Sequence, residues 1–301
     1  MPELPEVHTT ATILNTLVRG KKIVDAWSDY DSPFYKGKKN IKDTAYFKKF
    51  RKEIAGKNIV RVWRRAKNVL IDIEGDSTIL IHMKMTGHLL HGKFELDTKK
   101  NQWQAIEEGP MKDPFNRFIH FVISLSDGNC VAFSDMRKFA TVHLISDKAA
   151  LTEAFGKLGP EPLEDLFDWK VLKARLSRRP NMKIKTALMD QALVVGIGNI
   201  YSDELLWMSK VTPERRVESI SDAEFKLMTK SAKEVLSKGI DFGGDSMSDY
   251  RNPHGVPGEF QMHHNAYRRT GKSCNRKNCK GVIQRKVING RSAHFCDTCQ
   301  K

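Results

Sequence analysis

The sequence predicts an α+β protein of several domains: a β-sandwich or barrel behind a leading helix, then helices, then a metal-binding β-hairpin. Three observations support this fold class. Short segments rich in β-branched residues, separated by turn signals, occupy much of residues 22–144. Helical periodicity replaces them after Ile145. Four of the five cysteines crowd into the last 28 residues in two pairs.

The leading helix follows from the first twenty residues. Pro5 suits the first turn of a helix, because its missing N–H would have no partner there. Val7, Ala11 and Leu14 then recur at helical spacing, and Gly20 is a stop signal. An apolar face therefore anchors this helix.

Strands are predicted at residues 59–62, 69–73, 78–82, 118–125, 130–134 and 141–144. Two stretches break the pattern. Residues 30–57 are basic and are expected to form loop with some helix. Residues 91–115 are polar, contain Gly-Pro and Asp-Pro pairs, and are expected to form a long loop.

The second half of the chain is predicted to be helical around residues 166–176, 184–190, 201–207 and 222–238. Ser221 and Glu224 have the spacing of a capping box at the start of the last of these helices. The Gly-Pro and Glu-Pro pairs of residues 158–163 indicate a rigid linker. We therefore predict three domains, at residues 1–150, 151–265 and 266–301.

The 301-residue chain has a formal net charge of +15, concentrated in two places. Residues 36–67 hold 13 Lys and Arg against two acids, and residues 251–301 hold 11 against two. Such surfaces favour a polyanionic partner, nucleic acid first and an anionic membrane surface second. No apolar stretch approaches the ~18 residues of a membrane span. With no signal-peptide pattern, the chain is expected in a reducing cytosol.

The N-terminus offers an unusual nucleophile. Removal of Met1 would leave Pro2 with a secondary α-amine, whose pKa of about 7.7–8.0 lies well below the ~10.4 of lysine. Such an amine can attack a sugar C1′ to give an iminium ion, and the adjacent Glu3 can move protons. An ordinary N-terminal turn is the alternative.

The cysteine pairs, separated by sixteen residues, have the spacing of a tetrahedral zinc site across a β-hairpin. The four predicted ligands are Cys274, Cys279, Cys296 and Cys299. A closed shell of thiolates indicates one structural zinc, whereas the alternative of two disulfides conflicts with a reducing compartment. Asn289-Gly290 predicts the hairpin turn and places Arg291 at or near its tip.

A Gly-Ile-Gly-Asn segment at residues 196–199 lies between two predicted helices. It can form a tight helix–helix turn, or its glycines can bring the backbone close to a phosphate at the next helix N-terminus. The segment alone does not decide between them.

Taken together, these motifs resemble the formamidopyrimidine-DNA glycosylase/endonuclease VIII family of base-excision repair enzymes. The resemblance spans nearly the whole chain, at residues 1–7, 64–67, 82–87, 135–139, 158–163, 188–190 and 195–201, at Glu204, and through the cysteine hairpin to Gln300. It implies an N-terminal β-sandwich, a helical domain with a helix–two-turn–helix motif, a zinc β-hairpin, and DNA in a basic cleft.

The resemblance also implies roles for single residues. Pro2 resembles the Schiff-base nucleophile, Glu3 the acid/base that helps to open the sugar ring, and Lys67 a lysine that contacts phosphate and assists strand cleavage. The expected fillers of the space left by a flipped nucleotide are Met85, Arg137 and Phe139. The other expected DNA contacts, mainly to phosphates, are Lys185, Asn199, Tyr201 and Arg291.

Several positions depart from the family pattern. The first cysteine pair is separated by four residues where two are usual, and Met136 and Ala140 replace the usual proline and glycine. His8 stands where glutamate is usual. Residues 91–115 form a longer loop than usual, and residues 243–264, where the family's lesion-sensing loop lies, match poorly.

The resemblance implies a bifunctional glycosylase and abasic-site lyase that acts by β,δ-elimination, as a monomer without a redox cofactor. It also implies a bacterial-type cytoplasm and association with the nucleoid. The expected partner is duplex DNA carrying oxidised purines or abasic sites, because Leu4 favours the formamidopyrimidine branch. The alternatives are an oxidised-pyrimidine glycosylase of the endonuclease VIII type, a damaged-DNA-binding protein without chemistry, and an RNA- or ribosome-associated zinc ribbon.

Overall fold

A computed structural model describes residues 1–247 and 249–301. The chain divides into two compact units, each with its own hydrophobic core. The first unit consists of Met1–Pro2, Glu6–Gly156 and Gly243–Glu259, and the second of Glu3–Pro5, Lys157–Phe242 and Phe260–Lys301. Domain boundaries after residues 150 and 265 stay a prediction.

The helices and strands predicted from the sequence occur in that order, together with a helix at residues 148–155 and strands at residues 23–28, 88–92, 94–97 and 102–105 that were not predicted. The helices are α1 (Leu4–Val18), α2 (Thr44–Ile54), α3 (Lys148–Phe155), α4 (Trp169–Leu176), α5 (Ile184–Met189), α6 (Asn199–Met208) and α7 (Asp222–Asp241). The strands are β1 (Ile23–Ser28), β2 (Ile59–Arg65), β3 (Asn68–Ile73), β4 (Ser77–His82), β5 (His88–Gly92), β6 (Phe94–Asp97), β7 (Gln102–Ala105), β8 (Ile119–Leu125), β9 (Cys130–Ser134), β10 (Thr141–Ile145), β11 (Ile283–Ile288) and β12 (Arg291–Cys296).

The first unit is a β-sandwich. Two antiparallel four-stranded sheets have the orders β1-β8-β9-β5 and β10-β4-β3-β2. Because side chains alternate across a strand, one face of each sheet supplies the shared core. Phe121 and Phe133 from one sheet and Ile71 and Ile79 from the other belong to it. Because the strands form two separate sheets and not one closed sheet, the unit is a sandwich and not a barrel.

Helices flank the strands of this unit as the sequence predicts. Helix α1 presents Val7, Ala11 and Leu14 to the sandwich core, and Gly20 follows it with φ of +79°. Within the basic stretch, Asp43 caps α2 by accepting a hydrogen bond from the Tyr46 N–H. The expectation of loop with some helix at residues 30–57 is confirmed.

The expectation of a plain loop at residues 91–115 was wrong. Strands β6 and β7 form a hairpin there, with Phe94 opposite Ala105. Both side chains are buried, together with Val122 and Ala132, on the face of the β8/β9 sheet away from the sandwich core. Each strand has only four residues, and polar side chains alternate with the apolar ones, so the segment has the composition of a loop.

Helices α4 to α7 form the core of the second unit, which includes Leu188, Leu205 and Met228. The capping box at Ser221 and Glu224 is present, with each side chain accepting from the other residue's backbone N–H. The predicted helices are thus present, with α7 running to Asp241. In the described chain, no helix has both the length and the apolarity that a membrane crossing requires.

The C-terminal hairpin of this unit is also confirmed. Strands β11 and β12 pair in antiparallel register from Ile283 opposite Cys296 to Ile288 opposite Arg291. The turn residues Asn289 and Gly290 have φ values of +46° and +74°. Two consecutive positive φ values are typical of a type I′ turn, for which Asn-Gly is the preferred pair.

Candidate active site

The first predicted catalytic residue, Pro2, is buried, whereas Met1 is 45% exposed. Met1 acylates the proline nitrogen, so the secondary amine exists only after Met1 is removed. Helix α1 begins two residues later, at Leu4. The nucleophile would therefore lie directly before the first turn of an anchored helix.

Glu3 is buried and its carboxylate is held by the backbone of a distant segment. Its Oε2 accepts hydrogen bonds from the N–H groups of Gly198, at 2.6 Å, and Tyr201, at 3.4 Å. Its Oε1 accepts from the Ile200 N–H at 2.9 Å. These donors lie at the N-terminus of α6, where free N–H groups and the helix dipole favour a negative charge.

The two glycines of the 196–199 turn are needed for this approach. A Cβ on Gly198 would lie 2.6 Å from Glu3 Oε1. A Cβ on Gly196, where φ is +84°, would lie 2.6 Å from Leu4 Cδ1. The segment is a helix–helix turn, and the N–H groups of residues 198, 200 and 201 donate to the carboxylate of Glu3.

Lys67 lies in the two-residue turn between β2 and β3, directly after Ala66 with φ of +53°. The residue is 5% exposed. Burial and, to a lesser extent, the ammonium groups of Lys84 and Lys67 together lower the pKa of the neighbouring His82 to about 3. Near the β2–β3 turn, Lys67 and Lys84 therefore carry positive charge, whereas His82 is neutral at physiological pH.

The three predicted void-filling residues come from two adjacent turns of the first unit. Met85 is half-buried in the turn after β4, and Phe139, between β9 and β10, is 47% exposed. The guanidinium carbon of Arg137 lies 4.4 Å from the centre of the Phe139 ring. An apolar side chain and a cation are thus presented together at the surface.

A buried carboxylate that sequence reasoning did not assign connects these turns. Asp135 Oδ1 accepts from the Thr86 hydroxyl at 2.7 Å, and Asp135 Oδ2 accepts from the Ala140 N–H at 2.8 Å. The Arg137 N–H in turn donates to the Thr86 hydroxyl oxygen at 3.1 Å. Thr86 and Asp135 each lie in a motif of the family resemblance, but their contact joins positions 49 residues apart.

In the second unit, Lys185 is 1% exposed and its ammonium donates to Asp203 Oδ1 and to the Ser292 carbonyl. Burial lowers the pKa of Lys185, and Asp203 opposes that shift. Asp203 Oδ2 also accepts from the backbone N–H of His294 at 2.9 Å. The structure thus places Lys185 in a buried network that joins α5, α6 and β12, and its predicted phosphate contact stays a prediction.

The remaining predicted DNA contacts of this unit differ in exposure. Asn199 is the first residue of α6, and its buried Oδ1 has no hydrogen-bond partner within the described structure. The Tyr201 ring is fully buried and stacks on Phe260 with ring centres 5.0 Å apart. Arg291, at the start of β12, is exposed. The DNA contacts of all three stay predictions.

The four predicted zinc ligands come together in the second unit. Their Sγ atoms all lie within 4.8 Å of one another. The Cys274–Cys299 and Cys279–Cys296 Sγ separations are 3.8 and 3.6 Å. Four thiolates about 2.3 Å from one tetrahedral zinc would be separated by roughly 3.8 Å, so the cluster fits the ion despite the longer spacing of the first pair.

The comparisons with known proteins cover the whole chain. Residues 1–142 match the sequence model of the formamidopyrimidine-DNA glycosylase N-terminal domain. Residues 158–251 match the formamidopyrimidine-DNA glycosylase H2TH domain, and residues 271–301 the zinc finger found in FPG and IleRS.

Full-length relatives agree with these matches. The chain is 36% identical over 300 residues to a formamidopyrimidine-DNA glycosylase of Herpetosiphon aurantiacus, with 100% of both chains covered. It is 35% identical to one of Bacillus subtilis, with 100% of this chain and 99% of the relative covered. Lactococcus lactis Fpg bound to DNA containing an abasic site has a TM-score of 0.82 and 32% identity, over 99% of both chains.

The sandwich, the helix–two-turn–helix unit and the four-cysteine hairpin, with these matches, define a DNA glycosylase of base-excision repair with one structural zinc. The chain belongs to the formamidopyrimidine-DNA glycosylase family.

Proposed function

We propose that this protein excises oxidised purines from duplex DNA and then cleaves the strand at the resulting abasic site. The observation that supports the proposal most directly is the Pro2-Glu3 pair. The proline can supply a secondary amine, and three backbone N–H groups hold the neighbouring carboxylate. The carboxylate of the residue next to the nucleophile is therefore held in one position.

The chemistry follows from these two residues. The Pro2 nitrogen attacks C1′ of the damaged nucleoside, a C–N bond forms, and the glycosidic bond breaks with the electron pair leaving on the base. The Glu3 carboxylate takes up the proton that the Pro2 nitrogen loses after its attack, and passes it to the ring oxygen as the sugar opens to an iminium ion. The iminium acidifies the C2′ proton, whose removal expels the 3′ phosphate, and a second elimination expels the 5′ phosphate.

The other predicted site residues have roles that match their surroundings. Lys67, in a corner rich in lysine, is proposed to bind a phosphate beside the sugar. Phe139, Arg137 and Met85 are proposed to fill the space that the flipped nucleotide leaves, since Phe139 and Arg137 are exposed side by side. Zinc, when bound, would fix the hairpin that carries Arg291 and has no part in the bond-breaking steps.

The preference for oxidised purines is supported by the solved relatives. Similar structures at 32% identity include Lactococcus lactis Fpg in complex with Fapy-dG-containing DNA and MutM in complex with DNA containing carbocyclic 8-oxo-G. For this chain we expect the same class of lesion.

Borohydride trapping tests the proposal. The mature protein should form a covalent adduct with a duplex containing 8-oxoguanine or an abasic site, and should release 8-oxoguanine faster than thymine glycol. Pro2→Gly, which retains a primary α-amine, should weaken trapping, whereas an N-terminal tag should abolish it. Trapping by the blocked protein would refute the role of Pro2, and faster release of thymine glycol would refute the lesion preference.

A further inference from the structure

The hairpin and turns of residues 93–117, which we call the insert, have no part in the reaction above. Phe94, Ala105, Trp103 and Met111 of the insert pack on the outer face of the β8/β9 sheet. The insert is therefore fixed to the two central strands of this sheet. A second segment of that unit, residues 243–259 (the arch), rests against it; residues 243–247 and 249–259 of the arch are described.

A buried ion pair joins the arch to the insert. Arg251 is only 7% exposed, and its Nε donates to Asp113 Oδ2 at 3.0 Å. Its guanidinium carbon lies 4.8 Å from the centre of the Phe115 ring. Loss of the Asp113 carboxylate would remove this charged partner from a buried guanidinium and so weaken the contact between the arch and the insert.

Backbone contacts strengthen the same joint. The Asn116 side-chain amide donates to the carbonyls of Pro110, at 2.9 Å, and Gly255, at 3.3 Å. The arch also contacts strand β5, directly before the insert, where the His91 N–H donates to the Pro253 carbonyl at 2.8 Å. A Cβ on Gly255, where φ is +78°, would lie 2.8 Å from the Pro110 carbonyl oxygen. The tip of the arch is thus closely fitted to the insert.

The other side of the arch contacts the first turns of α1. The Asp245 N–H donates to Glu6 Oε1 at 2.7 Å, and the buried Tyr250 hydroxyl donates to the Glu6 carbonyl at 3.0 Å. The Thr10 and Tyr250 hydroxyl oxygens are 3.3 Å apart. Burial raises the pKa of Tyr250, so its hydroxyl remains a proton donor at any physiological pH.

Tyr250 and Arg251 are consecutive, so one short piece of the arch contacts α1 through the first residue and the insert through the second. We propose that the insert is a brace that positions the arch against the start of α1 and thereby orients the amine of Pro2. Asp113, Arg251 and Tyr250 are its positioning residues. The inference rests on the proposed function, because it concerns the placement of that nucleophile.

A double-mutant cycle on the mature full-length protein tests the brace. Asp113→Asn and Tyr250→Phe should each slow single-turnover borohydride trapping on an abasic duplex by about tenfold, because small misplacements of reacting groups are costly. The double variant should trap at the rate of the slower single variant, because both changes interrupt the same chain of contacts from the insert through the arch to α1. DNA affinity should stay within about twofold of the wild type, as expected for loss of orientation without loss of binding.

Two further variants serve as controls for the cycle. Glu108→Gln removes a carboxylate of the same insert whose side chain is 88% exposed, and should trap at the wild-type rate. Asp113→Glu keeps the charge and should restore at least half of the lost rate. Additive losses in the double variant, or equal losses in Asp113→Asn and Glu108→Gln, would overturn the brace.

Hydrogen exchange of the DNA-free protein gives a readout that does not depend on catalysis. Asp113→Asn should speed exchange of the amides in residues 249–256 and 6–12, and Glu108→Gln should not. Unchanged exchange in both segments would overturn the brace even if trapping slowed. A wild-type protein that fails to trap would refute the proposed function, while exchange would still decide the brace. If Asp113→Asn does not fold, Gly255→Ala tests the same joint.

Discussion

At the scale of single residues, the site depends on how Glu3 is held. Hydrogen bonds to an ionised group contribute about 1.5–3 kcal/mol each, and Glu3 accepts three from the start of α6. The arrangement works only because Gly198 has no side chain, so the carboxylate can approach the backbone closely. A single missing Cβ therefore sets the position of the proposed acid/base.

Gly198→Ala should consequently displace Glu3 and slow borohydride trapping by roughly 10- to 100-fold, the cost of misplacing a reacting group by about 1 Å. Glu3→Gln gives the reference loss for removing the proton-transfer function in place. Gly156→Ala is a matched control, because Gly156 is in the right-handed helical region and the nearest atoms to its Cβ lie at 3.5 Å. Wild-type trapping by Gly198→Ala would contradict the role of the turn.

At the scale of elements, the cysteine hairpin is tied to α6 by buried carboxylates. Glu204 accepts hydrogen bonds from the backbone N–H groups of Ala266 and Tyr267, each at 2.8 Å, in the segment that leads into the hairpin. Asp203, the preceding residue, accepts from His294 of β12 at 2.9 Å and from Lys185. The helix that anchors Glu3 therefore also positions the proposed zinc hairpin.

Cys299→Ser should remove one ligand from the cluster, and with it the bound zinc and much of the DNA affinity. Structural zinc contributes on the order of 10 kcal/mol to the folding of such sites, so partial coordination should not hold the hairpin. Zinc content by metal analysis and binding to an abasic duplex would measure both effects. Circular dichroism in the β-sheet region should stay near the wild-type signal.

Cys130→Ser is the control for that experiment, since Cys130 is buried in the β-sandwich and lies outside the four-cysteine cluster. It should keep one zinc per chain. Tight DNA binding by zinc-free Cys299→Ser would show that the hairpin is dispensable for binding.

At the scale of the whole molecule, the positive charge of the chain is concentrated in two segments. The net charge is +15, but residues 36–67 alone contribute +11 and residues 251–301 contribute +9, so the remaining chain is mildly acidic. Lys36, Lys38 and Lys39 in the first basic segment are all exposed. Cations concentrated in this way favour phosphate binding and a strong dependence of affinity on salt.

Replacing Lys36, Lys38 and Lys39 by alanine should therefore reduce the slope of log Kobs against log salt by about 0.9 for each phosphate that the protein no longer neutralises. Titrations of an undamaged duplex at several salt concentrations would measure the slope. Alanine at Lys99, Lys148 and Lys157, which are exposed but outside both basic segments, is the matched control. Equal slopes in the two triple variants would exclude residues 36–39 from the DNA-binding surface.

Local patterns were sufficient for much of the fold. The capping box at Ser221, the Asn289-Gly290 turn and the sandwich strands depend on residues near one another in sequence, and all are present. The hairpin at residues 94–105 was missed because its strands are short and their polar residues dominate the composition. Its stability comes from packing on a sheet face that the sequence does not reveal.

The sequence by itself determined which reactive groups the chain carries: a proline next to a glutamate at the start, and four thiols with zinc spacing. Only the tertiary structure decided how those groups are held. The Gly198 N–H that donates to Glu3 is 195 residues away in sequence. The buried Lys185 ammonium is paired with the Asp203 carboxylate. Arg251 of the arch pairs with Asp113 of the insert, more than 130 residues earlier. Reactivity is a property of side chains, whereas their placement depends on long-range packing that no local pattern encodes.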